Sequence, residues 1–190
     1  MERKYTEDKQ FHKTDFTKQI FTAGDYEGCR FTVCNFSQSD LSHSHFIDCM
    51  FENCNLSLIK MDKTSLRDVR FKDCKMLGLP FYNGNNSLFS AGFEDCILNH
   101  SSFFEMNLKK IQFRNCIMQE VDFTQADLTG AIIYNCDLLN AKFEKTILEK
   151  ADLRRSFQYS IDPELNRLKK AKFSLPAVIR LLDKYNIEIE

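Results

Sequence analysis

Eight cysteines and four histidines carry most of the chemical potential of this 190-residue chain. Thiolates bind soft metals, exchange disulfides or attack electrophiles, and imidazoles join them as ligands or bases. The placement of these residues supports none of that chemistry. No CxxC pair with histidines at zinc-site spacing occurs. His43 and His45 sit two apart while His12 and His100 lie elsewhere, so no nucleophile, base and orienting acid converge. No glycine-rich phosphate loop is present. The expectation is a chain that is not an enzyme, with no catalytic residue, no metal site and no cofactor. What the cysteines do have is an interval. Cys34, Cys54 and Cys74 are twenty residues apart, as are Cys96, Cys116 and Cys136, and the step from Cys74 to Cys96 is twenty-two. These six predict one column of small, soft, buried side chains, and Cys29 and Cys49 start a neighbouring column. Disulfides along the column are disfavoured in a reducing compartment.

The elements that would build such a column follow from a shorter period. Large apolar residues recur every fifth position from Phe11, Phe16, Phe21 and Tyr26 through Phe81, slip by two, and resume from Leu88 and Phe93 to Leu153. Five residues advance an α-helix by about 500°, which turns the next large residue roughly 140° away, so no helical face results. A plain strand alternates with period two. A short extended segment followed by a corner fits. Two residues before each large one stands a small or thin one, such as Cys34, Ser39, Ser44, Ala126 or Ala131, and positions two apart on an extended segment face the same way. Four sides then make a coil of twenty residues. About seven coils stacked at about 4.8 Å give a rod roughly 35 Å long. Asn53, Asp73, Asp95, Asn115, Asn135 and Asp48 each precede a cysteine and are read as corner makers whose side chains bond the local backbone.

The slip lies in Tyr82-Asn83-Gly84-Asn85-Asn86-Ser87. It reads either as a small corner loop that leaves later coils in register or as a projection that contacts a partner. After Leu153 the repeat fades, and Phe157 is out of phase. Ala171-Lys172-Phe173 resembles one more repeat. Ser174 is placed as an N-cap, with Pro176 in the first helical turn and Val178, Leu181, Leu182 and Tyr185 at helical spacing. Asn186 closes that helix, and Ile187 to Glu190 alternate like a short strand. The predicted organisation is an N-terminal extension over 1–10, a β-helix over 11–157 with a small loop at 82–87, and a degenerate last coil, capping helix and dimerisation segment over 158–190. The apolar content of the end, Leu175, Val178, Ile179, Leu181, Leu182, Tyr185, Ile187 and Ile189, exceeds what a cap needs. It predicts a two-fold dimer through this end, against a monomer with a self-sufficient cap.

The triplets Ala126-Asp127-Leu128, Cys136-Asp137-Leu138 and Ala151-Asp152-Leu153 resemble the A(D/N)LXX signature of pentapeptide repeat proteins. The resemblance covers residues about 11 to 153. It implies an all-β solenoid, a right-handed quadrilateral β-helix. Two further stretches are similar to the albicidin-resistance and Qnr quinolone-resistance branches of that family. One contains Cys54-Asn55-Leu56 and Val69 to Leu79; the other runs from Ala171 through Leu181-Leu182 to Ile189. This closer resemblance implies a homodimer joined at the C-terminal ends. It also implies binding to DNA gyrase or topoisomerase IV, and protection of that enzyme from poisons by a rod that imitates DNA.

The charges give that implication partial support. Total charge is nearly balanced, 26 Lys and Arg against 27 Asp and Glu, so a basic footprint is missing from the totals and direct nucleic-acid binding is not expected. Residues 94–137 are net acidic, seven acids against three bases, while residues 60–75 carry six bases against three acids. A mixed solvated surface fits as well as an imitation of DNA. Tyr82 and Phe104 lie twenty-two apart across the slip and should stack outward, as should Ile97 and Ile117. Tyr82, Phe104, Glu105, Glu120, Asp122 and Asp127 are the candidate partner surface. A general protein-interaction scaffold with no gyrase role is the second reading. No apolar stretch is long enough to span a bilayer and Met1 to Lys13 is charged and polar, so a cytoplasmic location with no membrane partner is expected.

Overall fold

The computed structural model describes residues 3–188. The chain winds as a four-sided, right-handed parallel β-solenoid in which successive coils pair residue to residue. Strands β1 (Lys4–Glu7), β2 (Gln10–His12), β3 (Gly24–Glu27), β4 (Arg30–Thr32), β5 (His45–Ile47), β6 (Met50–Glu52), β7 (Ser65–Arg67), β8 (Val69–Lys72), β9 (Ala91–Glu94), β10 (Gln112–Arg114) and β11 (Ile132–Tyr134) form two sheets. One is β1-β3-β5-β7 and the other β11-β10-β9-β8-β6-β4-β2, all neighbours parallel. Phe31 pairs with Phe51 and Phe51 with Phe71, each twenty residues on. Phe71 then pairs with Phe93, twenty-two on, so the slip leaves the ladder intact. The remaining sides are joined by single parallel bridges such as Asn35 to Asn55 and Asp127 to Ile147. Bridges from Ile132 to Asp152 and from Asp152 to Lys172 stack a further coil on the top.

The large and the small residue of each pentapeptide point inward together. Phe31, Phe36, Phe46, Phe103, Phe113 and Phe123 are fully buried, and so are Ala126, Ala131 and Cys136. The phenylalanines stack coil on coil: Phe31 on Phe51 at 4.6 Å and 9°, Phe103 on Phe123 at 5.4 Å and 8°. Phe31 lies between Phe11 and Phe51, and Phe103 between Phe81 and Phe123, each in offset stacks that add to the burial of its area.

Most corners turn through a left-handed residue two places after the large one. Gln38, His43, Asn53, Asp73, Asp95, Asn115 and Asn135 all have φ between 50° and 62°. This corrects the mechanism expected for the asparagines and aspartates before the cysteines. They serve by tolerating this conformation; Asn115 and Asn135 donate to Asp95 and Asn115 of the coil below at 3.0 Å each rather than to the backbone. The backbone is bonded instead by the aspartate or asparagine just before the large residue. Asp40, Asp122, Asp127 and Asp152 accept the amides of Ser42, Thr124, Thr129 and Arg154 at 2.9 to 3.1 Å. That bond is the physical content of the central D/N in the repeat.

Three further details depart from the reading of the sequence. The first coil reaches back to Lys4, because β1 pairs with β3 inside the segment expected to be an extension. The sequence there is polar, and only its pairing partner makes it a strand. Leu88, expected inward, is 65% exposed, and Phe89 packs against the core in its place. Two 3₁₀ turns, Phe81–Asn83 and Asn86–Leu88, absorb the two extra residues. They are tied to the coil below by the Asn85 amide on the Thr64 carbonyl and the Ser90 amide on the Leu66 carbonyl. Finally, the C-terminal helix is a single α-turn, α1 (Leu175–Val178), continued as a 3₁₀ helix over Ile179–Tyr185. Ser174 stands at its N-cap without a side-chain bond, and Asn186 ends it in the left-handed region. Pro176 and the β-branched Val178 and Ile179 weaken regular α-helix here, so packing holds the segment. Ile187 and Glu188 join no strand; Ile189 and Glu190, the rest of the expected terminal strand, lie outside the described residues.

The two ends are finished differently. At the N-terminal end the edges of β1 and β2 lack a coil beneath them among the described residues, and Phe11 and Phe16 are only partly buried. Lys9 lies 5.1 Å from the centre of the Phe11 ring, and charges at such an edge discourage pairing with other strands. At the other end Ala177 and Leu181 pack on the core beside Leu168 and Phe173. Lys184 fastens this cap by ion pairs of 2.7 Å to Asp162 and Glu164 of the last coil.

Candidate functional site

The cysteine column is a packing element. All eight cysteines are buried and free. Cys34, Cys54, Cys74, Cys96, Cys116 and Cys136 rise up one side, and the Cys34 amide meets Cys54 Sγ at 3.4 Å. Each inner thiol donates to a carbonyl of the coil below: Cys54 to Phe31 at 3.3 Å, Cys74 to Phe51 at 3.4 Å, Cys116 to Phe93 at 3.6 Å. Burial pushes the Cys49 thiol up to about 12. Hydrogen bonding with the thiol above, joined by burial, does the same for Cys96 and Cys116, both about 12. Hydrogen bonds from Cys74 and Cys116 act the other way on Cys54 and Cys136 and lower them, but all of these thiols are buried and shielded from an attacking partner. Ser156 takes the next storey, its hydroxyl donating to the Ile133 carbonyl at 2.7 Å and accepting the Cys136 amide at 3.2 Å.

The histidines remain apart. His45 Nδ1 is 3.1 Å from Asp25, and His100 Nδ1 is 3.3 Å from Glu120, each along one edge of the rod. Among the described residues no group of three or more His, Cys, Asp and Glu is placed to hold a metal ion. No helix among them is long and apolar enough to cross a membrane.

The six candidate partner residues divide between two sides of the rod. On the side carrying Phe81, Phe103 and Phe123, bridges link Pro80 to Ser102 and Ser102 to Asp122. Tyr82 and Phe104 follow on the outer surface with ring centres 6.3 Å apart, edge to face. Tyr82 is 45% exposed and Phe104 half-buried. Asp122 lies on this side; Glu105 and Glu120 stand at its two corners, both exposed. An aromatic pair thus sits within a frame of three carboxylates. Asp127 lies round the corner, paired with Lys109 at 3.2 Å. Burial opposes its ionisation, but the Thr129 hydroxyl at 2.5 Å, the Thr129 amide and Lys109 together hold its carboxyl below the usual range. Ile97 and Ile117 are bridged to each other on another side, and Ile117 is 41% exposed.

The terminal apolar residues also divide. Leu181 turns to the core, whereas Leu175 is 87% exposed, and Val178, Ile179, Leu182, Tyr185 and Ile187 are exposed as well. They leave an apolar surface on the outside of the cap. Sequence reasoning missed two residues beneath it. Tyr159 is fully buried against Phe173, and the Asn166 side chain, 8% exposed, donates to the carbonyls of Phe143 and Asp162 at 2.9 Å. Neither keeps the phase of the repeat with an apolar residue, so only the end of the pattern hinted at them.

Comparison with known proteins agrees with this geometry. A family profile described as a pentapeptide repeat region matches residues 24–87 and 84–153. No curated protein sequence matches significantly. Among solved structures, a trypsin-treated variant of QnrB1, a plasmid-mediated fluoroquinolone resistance protein, is 19% identical, with 100% of this chain and 95% of that one covered and a TM-score of 0.55. Full-length QnrB1 is 16% identical over 97% of this chain and 100% of that one, TM-score 0.49. HetL, a pentapeptide repeat protein involved in heterocyst differentiation regulation in the cyanobacterium Nostoc sp. strain PCC 7120, is 13% identical over 88% and 84%, TM-score 0.46.

Proposed function

The chain belongs to the pentapeptide repeat family, and we propose that it is a non-enzymatic, cytoplasmic protein that binds DNA gyrase or topoisomerase IV. In this reading it protects that enzyme from quinolone- or albicidin-type poisons. The observation that carries the reading is the Tyr82–Phe104 pair within the frame of Glu105, Glu120 and Asp122. An exposed aromatic pair supplies contact area. Carboxylates spaced along a narrow rod match a surface built to receive DNA phosphates. The likeness of fold to a plasmid-mediated fluoroquinolone resistance protein is the reason a drug of that class is named here. The exposed apolar face of Leu175, Val178, Ile179, Leu182, Tyr185 and Ile187 is the surface through which two copies would join end to end.

The second reading, a general interaction scaffold of the same family, is favoured by the pairing of several surface acids. Asp127 is paired with Lys109 and His100 stands 3.3 Å from Glu120, which breaks up a continuous negative field. Binding to immobilised gyrase, with duplex DNA as competitor, separates the two. The gyrase reading predicts saturable binding that DNA displaces and that the paired change Tyr82→Ser and Phe104→Ser weakens tenfold or more, about 1.4 kcal/mol. Failure of the wild-type protein to bind leaves the scaffold reading.

A further inference from the structure

We propose that one edge of the rod grips the phosphate backbone of a nucleic acid. Balanced totals hide this edge, because the fold sorts residues by their place in the coil. Residues 138–172 carry nine bases against five acids. In the column of corners that runs beside the larger sheet and on above it, Asp48 and Asp68 stand low in the rod, and Lys110, Lys150 and Lys170 high; Lys110 precedes β10, while Lys150 and Lys170 precede the bridged residues Asp152 and Lys172 above β11. All three lysines occupy the left-handed corner position, with φ from 58° to 60°, and all are exposed.

Four successive coils present Lys110, Gly130, Lys150 and Lys170 at this corner. The Lys110 amide bonds the Thr129 carbonyl, the Gly130 amide bonds that of Glu149, and the Lys150 amide bonds that of Lys169. Gly130, between Lys110 and Lys150, has φ 68°, and a Cβ there would stand 3.7 Å from Lys110 Cγ. The Lys110 chain therefore lies over the glycine and leans toward Lys150. Lys169 and Lys172 flank Lys170 on the last coil, also exposed.

The acids that could neutralise this edge are already engaged. Glu149 pairs with Arg167 at 2.6 Å, Asp152 with Arg154 at 2.7 Å and Asp127 with Lys109 at 3.2 Å. Among the described residues, Lys110, Lys150, Lys169, Lys170 and Lys172 make no ion pair. Like charges one storey apart, as Lys150 and Lys170 are, repel until an anion lies along them. Three storeys at about 4.8 Å span roughly 14 Å. One DNA strand advances about 3.4 Å per phosphate, so about four phosphates fall within reach of the ladder. The inference departs from the expectation drawn from charge totals, and it concerns an edge separate from the Tyr82–Phe104 face.

The test is fluorescence anisotropy of a labelled duplex of about 20 base pairs, titrated with the full-length protein between about 50 and about 200 mM salt. Binding is expected to be independent of sequence and to weaken steeply with salt. The paired change Lys150→Asn and Lys170→Asn keeps residues suited to a left-handed corner. It should lower the slope of log affinity against log salt by about two. The pair Lys13→Asn and Lys63→Asn, at equivalent corners on other edges, should leave the slope unchanged. Thermal melting of both variants checks that the rod is intact. No saturable binding at the lower salt, an unchanged slope in the first variant, or displacement of the duplex by polyglutamate as readily as by unlabelled DNA would each overturn the proposal. Gyrase binding is read separately, so its failure leaves this outcome interpretable.

Discussion

Phe81 stacks on Phe103 with ring centres 4.4 Å apart and planes 7° from parallel, although twenty-two residues separate them. Phe71 on Phe93 spans the slip in the same way, and in the coils below and above the slip the contact is made at twenty. The two extra residues are thus expelled into the 3₁₀ turns that follow Phe81, and the interior column passes them without a gap. This is the point at which the lower coils are joined to the upper.

Removing a ring from the column should be costly. Phe103 is fully buried between Phe81 and Phe123. Phe103→Ala should lower the unfolding free energy by about 3–5 kcal/mol in chemical denaturation. A loss under 1 kcal/mol would mean that the stack is loose.

Val33 is a β-branched residue held at φ 56° and 45% exposed. Its side chain contributes little packing while opposing the backbone. Val33→Asn should stabilise the protein by roughly 1 kcal/mol, seen as a raised melting temperature. A lower melting temperature would show that the valine contributes contacts that outweigh its strain.

The lowered carboxyl of Asp127 makes stability depend on acid. Its folded pKa lies below the unfolded value of about 3.9. The contribution is therefore complete above that value and is lost as pH falls through the folded pKa. Asp127→Asn should flatten the decline of melting temperature below about pH 4 and lower stability at neutral pH. An acid limb identical to wild type would remove Asp127 from the account.

The eight thiols should be silent to a thiol reagent in the native protein and should all react after unfolding. Reaction of any one within minutes under native conditions would mean that the column opens on that timescale.

Much of this fold was legible because the repeat is redundant. The interval from Cys34 to Cys54 to Cys74 fixes the length of a coil, and the pair Cys34 and Phe36 fixes which two residues of five turn inward. The exceptions arose where neighbours rather than period decide. Leu88 is as apolar as Leu66, yet the loop carries it outward and Phe89 fills the space. Tyr159 is buried because the last coil has lost its phase. The polar segment from Lys4 is a strand only because β3 offers it a partner. At the candidate site, adjacency of Tyr82 and Phe104 followed from the period. The unpaired lysine edge did not, since which acids are already engaged is a matter of side-chain geometry.

The proposed role turns on the Tyr82–Phe104 face, and a gyrase supercoiling assay in the presence of a fluoroquinolone tests it most directly. Wild-type protein at near-equal ratio to gyrase should restore supercoiling that the drug has blocked, and protein with Tyr82→Ser and Phe104→Ser should not. Equal inhibition with and without the wild-type protein would contradict the account.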